Sequence, residues 1–287
     1  MDKTVRVPAA LRTLQILQTL GRAGSPMTAQ GLATKLDLPR SSVYQILEVL
    51  EEQGFVVHFP EEKRWSLGVA AFELGSAYLR HDPLERFAQP LLNRLLNQVG
   101  QLGGGSTSAQ QNAGFAAVAQ LGILDGAELL YLLKGSTLAN ASASLGSGVE
   151  VAVVTDVGVR LPAHLTASGR SLLALLPKQQ FKALYPGGGD REITQRTPAG
   201  PPRVRDLEAT LKADREAGCS VEIGEVTDGY ASVASASVNH LGLPVAAFAV
   251  TFRTDRLTDA HLAALTTEIG RLTKVAATDL SRRLGAK

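Results

Sequence analysis

Residues 28–52, TAQGLATKLDLPRSSVYQILEVLEE, constrain the chain most, because they read as two short amphipathic helices with only a tight turn between them. Thr28 can accept the first free amides of one helix, which then turns Leu32, Ala33 and Leu36 inward before Asp37, Leu38 and Pro39 reverse the chain. Pro39 suits the start of a second helix, on which Val43, Ile46, Leu47 and Leu50 form one apolar stripe and leave Arg40, Ser41, Ser42, Tyr44 and Gln45 facing away. Such side chains read bases and phosphates. Any helical hairpin shows this spacing, so its neighbours matter. Gly54 stops the helix, and residues 55–59 and 64–67 are extended runs about a turn at Pro60, Glu61, Glu62 and Lys63. Upstream, Leu11, Leu14, Leu17 and Leu20 supply a covering helix. Three helices and a hairpin make a winged helix, which predicts duplex DNA as partner. Thr28, Arg40, Ser41, Ser42, Tyr44 and Gln45 would meet the groove, with Lys63 and Arg64 of the wing on phosphates.

The 287 residues are 45% hydrophobic, enough for two domains with at least one sizeable core. Net charge is only +2, but residues 1–45 hold six cations (Lys3, Arg6, Arg12, Arg22, Lys35, Arg40) against Asp2 and Asp37, 6 − 2 = +4. So modest a basic face needs dimerisation to multiply its contacts. No apolar run approaches the roughly 18 residues of a membrane helix, and the start MDKTVRVPAA lacks an apolar signal core, so a cytoplasmic protein without membrane partners is expected. The single Cys219 excludes an intramolecular disulfide and reads as a packing residue. His58, His81, His164, His240 and His261 are scattered without metal-ligand spacing, so no metal or cofactor is expected. His164 lies four residues before Ser168, and Ser171 follows, but no Gly-x-Ser-x-Gly or Ser-x-x-Lys pattern is present, and no catalytic residue is assigned.

Beyond the wing, residues 69–79 read as a helix, interrupted at His81, Asp82 and Pro83. From Leu84, residues Phe87, Leu91, Leu92, Leu95, Leu96 and Val99 hold helical spacing, either to connect two domains and pack on a second copy or to cover the chain's own sheet. Gly103, Gly104 and Gly105 with Ser106, Thr107 and Ser108 read as a flexible turn. Runs 116–124 and 128–134 flank Asp125-Gly126, a strong hairpin signal, and 149–154 is a third apolar run. Thr166 or Ser168 could cap a helix continuing through Leu172, Leu173 and Leu176. A helix over 203–217 ends at Gly218, strands are expected at 232–238 and 245–252, and a helix spans 258–284. Hairpin strands with helices grouped before and after predict an α+β fold with an antiparallel sheet.

Two stretches, LATKLDLPRSSVYQILEVLEEQGFV and RLPAHLTASGRSLLA, resemble the helix-turn-helix and the effector-domain signature of the IclR family of bacterial regulators. The resemblance runs from about Leu11 to about Leu280. It implies a winged helix-turn-helix over 1–80, a linker helix over 81–100, and a GAF-like effector-binding domain over 101–287. It further implies a homodimer or dimer of dimers on a pseudo-palindromic operator, answering to a small organic acid or related metabolite, with repression the leading expectation. The competing reading is a sensor-scaffold whose winged helix contacts protein. Family ligands sit between the loop before the signature helix, here Leu161, Ala163 and His164, and the later strands, here Glu222, Ser232, Ala249 and Thr251. This sequence departs from its relatives there. Glu222 stands where an aspartate is common, Ser232 where a cysteine is, and Ala249 and Thr251 where two serines are. An anionic Glu222 would oppose a carboxylate, which favours an amide, hydrazide or hydroxylated ligand.

Overall fold

The computed structural model describes residues 7–21, 23, 25–81, 83–103, 115–137, 155–255 and 257–286, without the side chains of 76–83 and 103. Gly104, Gly105, Ser106, Thr107, Ser108 and the run 149–154 lie outside the described residues, as do Asp2, Lys3, Arg6 and Arg22 of the charge count. The chain divides into two compact units, Met1–Asp82 and Pro83–Lys287.

In the first unit, α1 (Pro8–Gly21), α2 (Ala29–Leu36) and α3 (Arg40–Glu52) close on Ile16, Leu32, Val43 and Leu47, all fully buried. Thr28 caps α2 by accepting from Gly31 N at 3.0 Å. Asp37 ends it with φ 51°, giving its N–H to Ala33 O, so the chain reverses within three residues. The wing is β2 (Val56–Phe59) paired antiparallel with β3 (Arg64–Leu67). A two-residue β1 (Met27–Thr28), which the sequence pattern did not reveal, adds to β3. Buried Trp65 stacks on His58 across the hairpin, ring centroids 4.2 Å apart, and seals the wing onto the helices. α4 (Val69–His81) follows.

The second unit opens with α5 (Pro83–Gly100), of whose apolar stripe Leu91, Leu92, Leu95 and Val99 lie in the core. It covers its own sheet, where the spacing alone left a connecting role equally open. β4 (Ala117–Asp125) and β5 (Glu128–Ser136) form the expected hairpin with Gly126 at φ 62°. Next come β6 (Arg160–Pro162), α6 (Ala167–Leu173), α7 (Lys178–Leu184), α8 (Val204–Ala217), β7 (Ser220–Ile223), β8 (Tyr230–Val238), β9 (Pro244–Arg253) and α9 (Asp259–Arg283). The sheet is antiparallel throughout, in the order β6-β5-β4-β9-β8-β7. α6 stops at Leu173, short of the expected Leu176, and Thr166 rather than Ser168 caps it, accepting from Gly169 N at 2.9 Å. Strand β7 and helix α7 were not legible beforehand.

Period-two alternation gives the sheet two different faces. Ala119, Leu121, Val233, Phe248, Val250 and Phe252 pack under α5 and α9. The intervening Gln120, Ser232, Ala234, Ala249 and Thr251 look the other way, toward α6. The small side chains Ala234 and Ala249 let Ala167 of α6 approach. A Cβ at Gly169 would sit 2.1 Å from Ala163 O, so the turn preceding α6 folds back onto it only because that residue is glycine.

Candidate functional site

The outward face of α3 is contiguous and exposed among the described residues. Arg40, Ser41, Tyr44 and Gln45 are exposed and Ser42 is half-buried, while Val43, Leu47 and Leu50 anchor the helix beneath them. Arg40 donates to the Tyr44 hydroxyl at 3.4 Å and lies 5.5 Å above its ring, so two of the five are held together at the start of the helix. At the wing tip Lys63 is exposed with φ 53°. Arg64 is partly engaged, donating to Pro26 O at 3.2 Å with Glu62 3.9 Å away. Thr28 is exposed as well, but its hydroxyl oxygen is committed to the α2 cap. The arrangement is an exposed polar helix face with a wing whose tip carries both acids, Glu61 and Glu62, and bases, Lys63 and Arg64; an exposed polar helix face is what enters a groove.

The second candidate is a small cavity between α6 and the α6-facing side of the sheet. Register builds it. Glu222 of β7 is opposite Ser232 of β8, which is opposite Thr251 of β9, so three residues far apart in sequence stand in one row across three strands. The next row brings Ala249 opposite Gln120 of β4. Tyr131 of β5, Thr155, the first turn of α6 (Thr166, Ala167, Ser168) and the β7–β8 connection with Tyr230 complete the wall.

Of the seven residues expected to hold a ligand, Glu222, Ser232, Ala249 and Thr251 therefore meet in this wall, whereas Leu161, Ala163 and His164 do not line it. Leu161 packs with Leu129 and Leu172, and Ala163 with Leu173 and Phe181. His164 is buried on the far side of the turn, its Nε2 donating to Thr194 O at 2.8 Å and its Nδ1 3.4 Å from the Tyr185 hydroxyl. Burial lowers its pKa, so it is a neutral packing residue closing the loop. The sequence reading missed Gln120, Tyr131 and Tyr230, which only strand pairing could have placed, and Thr155, which lies outside the strands.

Most of the cavity's polar atoms have partners. Ser232 and Thr251 hydroxyls lie 3.0 Å apart, and Gln120 donates to Thr155. Glu222, 1% exposed, accepts from Val226 N at 3.3 Å through Oε1 and leaves Oε2 without a partner. Burial pushes its pKa up to about 8, with Glu225 adding to the rise. Beneath the wall, Arg170 of the signature helix is 2% exposed and pairs with Glu225 at 2.6 Å and Asp214 at 3.3 Å while donating to Val221 O. One buried cation thus ties α6 to α8, to β7 through Val221 and to the connection after β7 through Glu225. Burial raises both of those carboxyls, against the pull of the guanidinium. Among the described residues, no group of three or more His, Cys, Asp or Glu could hold a metal, and no helix is long and apolar enough to cross a membrane.

Known proteins share this plan. Over 277 residues the chain is 27% identical to the HTH-type transcriptional repressor AllR of Escherichia coli K12, covering 96% of this chain and 90% of that one. A solved regulator from Alicyclobacillus acidocaldarius superposes with a TM-score of 0.78 at 21% identity, covering 98% of this chain and 100% of that one. A homologue from Microbacterium hydrocarbonoxydans, solved with 4-hydroxybenzoate, gives 0.70 at 20% identity, covering 96% and 99%. At such identities these structures speak for the fold alone. The IclR helix-turn-helix profile matches residues 9–59, and the C-terminal profile of the bacterial transcriptional regulator IclR matches residues 115–282, more than half of the chain. This chain therefore belongs to the IclR family of effector-responsive, DNA-binding transcriptional regulators, which are not enzymes.

Proposed function

We propose that this regulator is a homodimeric or dimer-of-dimers repressor of cytoplasmic operator DNA, with 1–80 as reading head, 81–100 as coupling helix and 101–287 as sensor. The exposed polar ridge of α3 carries this reading. Arg40, Ser41, Ser42, Tyr44 and Gln45 enter the major groove, Lys63 and Arg64 take phosphates, and Thr28 sets the angle of α2 against the backbone. Dimerisation is supported by apolar side chains left in solvent on the first unit. Phe72 is 74% exposed, Val69 67% and Leu74 64%, a pattern that marks a contact surface. A small uncharged or weakly charged organic effector occupies the cavity walled by Glu222, Ser232, Ala249 and Thr251, and it acts only as far as it prefers one spacing of the two heads.

The test is selection of random duplexes by the full-length protein at several salt concentrations. Two half-sites of dyad symmetry, with affinity falling steeply as salt rises, are expected. Binding without sequence preference, or no binding, would favour a scaffold whose winged helix meets protein.

A further inference from the structure

The charge inventory of the cavity narrows what it can hold. Among its described lining residues there is one carboxyl, Glu222, and no Lys, Arg or His. The segments 104–114 and 138–154 contain no Lys, Arg or His either, so they cannot bring a cation to it. Arg170 beneath the wall is already bound by Glu225, Asp214 and the Val221 carbonyl. A carboxylate ligand would therefore be placed beside Glu222 and near Glu225 with no free side-chain cation, answered only by the partial positive charge of the first turn of α6.

The unmet demand is equally specific. Glu222 Oε2 is buried and unpartnered, while the Ser232 and Thr251 hydroxyls are bonded to each other and the Gln120 amide to Thr155. Because burial raises this carboxyl, both of its forms are populated near neutrality. The protonated form offers an O–H and the ionised form accepts an N–H. A carboxylate suits only the first and an ammonium only the second, whereas an amide carries both a carbonyl and an N–H. We propose that the effector of this cavity is a small uncharged amide whose amide group pairs with Oε2 of Glu222. This inference rests on the cavity being the effector site.

The experiment is calorimetric titration of the full-length protein at neutral pH with three probes of one skeleton: 4-hydroxybenzamide, 4-hydroxybenzoate and 4-hydroxybenzylamine, with acetamide and acetate as a smaller pair. Within a pair the amide should bind at least about tenfold tighter than the acid, and Glu222→Ala should erase that preference. Equal or tighter binding of an acid or of the amine, no measurable amide binding, or a preference unchanged in Glu222→Ala overturns the inference. Ala249→Phe, which fills the cavity, separates this from the larger reading. If acids bind and Ala249→Phe abolishes it, the cavity is the effector site and only the amide assignment falls. If amides bind and Ala249→Phe leaves them untouched, the cavity reading itself falls. Should Ala249→Phe not fold, Ala249→Val serves the same purpose with less bulk.

Discussion

The α3 ridge and the sensor cavity are built in opposite ways. The ridge takes five residues within one helix, all polar and in contact with water, on a scaffold of fully buried leucines and valines. The cavity collects side chains between Gln120 and Thr251 from five strands and a helix, and sinks a carboxyl to 1% exposure. Polar groups in water cost little when unpaired, so the ridge can be devoted entirely to a partner. Buried polar groups must find partners or shift their ionisation, so around the cavity stability and function cannot be separated.

The largest test of that contrast is Arg170→Ala. Removing the guanidinium strands Glu225 and Asp214 without their cation, and stability of the second unit should fall by about 3–5 kcal/mol. The lone Trp65 lies buried in the first unit, so its fluorescence reports that unit while far-UV circular dichroism is weighted toward the other. In urea the dichroism transition should move down and the fluorescence transition should stay. A joint shift, or none, would break the comparison.

Next in size is the pH dependence of the buried carboxyl. The folded pKa of Glu222 is raised from 4.5 to about 8, so the native state holds this proton more tightly than the unfolded chain does. The stabilisation is present below about pH 4.5 and is lost as pH rises through the folded value. The groups acting on it are Glu225, which raises the pKa, and Arg170 and the Val226 amide, which lower it; Tyr131 faces it and is itself raised. The wild type should lose on the order of a few kcal/mol between pH 5 and pH 9, and Glu222→Gln should flatten much of that slope. Asp214 and Glu225, shifted in the same direction, leave a remainder. Urea midpoints at both pH values decide it, and a slope of opposite sign or one unaltered by Gln would refute it.

The same contrast explains what could be read from residues alone. The first unit was legible because its signals are local: Thr28 and Gly31 lie within one turn, and the stripe of Val43, Leu47 and Leu50 is one helix face. Helix α9 was legible for the same reason. The row Glu222–Ser232–Thr251 depends on register between strands, and β7 has only four residues following a helix, too short for its alternation to stand out. His164 lies beside the signature helix in the chain but does not line the cavity. The helix capped by Thr166 points its first turn inward, while the preceding turn carries the imidazole to Thr194 and Tyr185.

On the ridge the effects should be smaller and should fall on binding alone. Arg40→Ala removes an exposed side chain whose internal contacts are the 3.4 Å bond and the ring contact to Tyr44, so stability should move by less than about 0.5 kcal/mol. Affinity for a selected duplex should drop by about 1–3 kcal/mol with relaxed preference at one base position, as fluorescence anisotropy would show. Unchanged affinity would remove Arg40 from the reading set.

Thr28 is where the two kinds of site overlap, and its effects should be the smallest and most informative. Its side chain is exposed, yet its oxygen serves the α2 amides, so Thr28→Ala should cost about 1 kcal/mol of stability in the first unit. Thr28→Asp keeps an acceptor that caps as well as or better than threonine, but it places a negative charge where a phosphate would approach. If Thr28 lies at the DNA surface, the Asp variant should melt like the wild type by Trp65 fluorescence while binding duplex more weakly, with the deficit shrinking as salt screens the repulsion. Equal binding by the Asp variant and the wild type would make Thr28 a folding residue only, and would confine the reading surface to α3 and the wing.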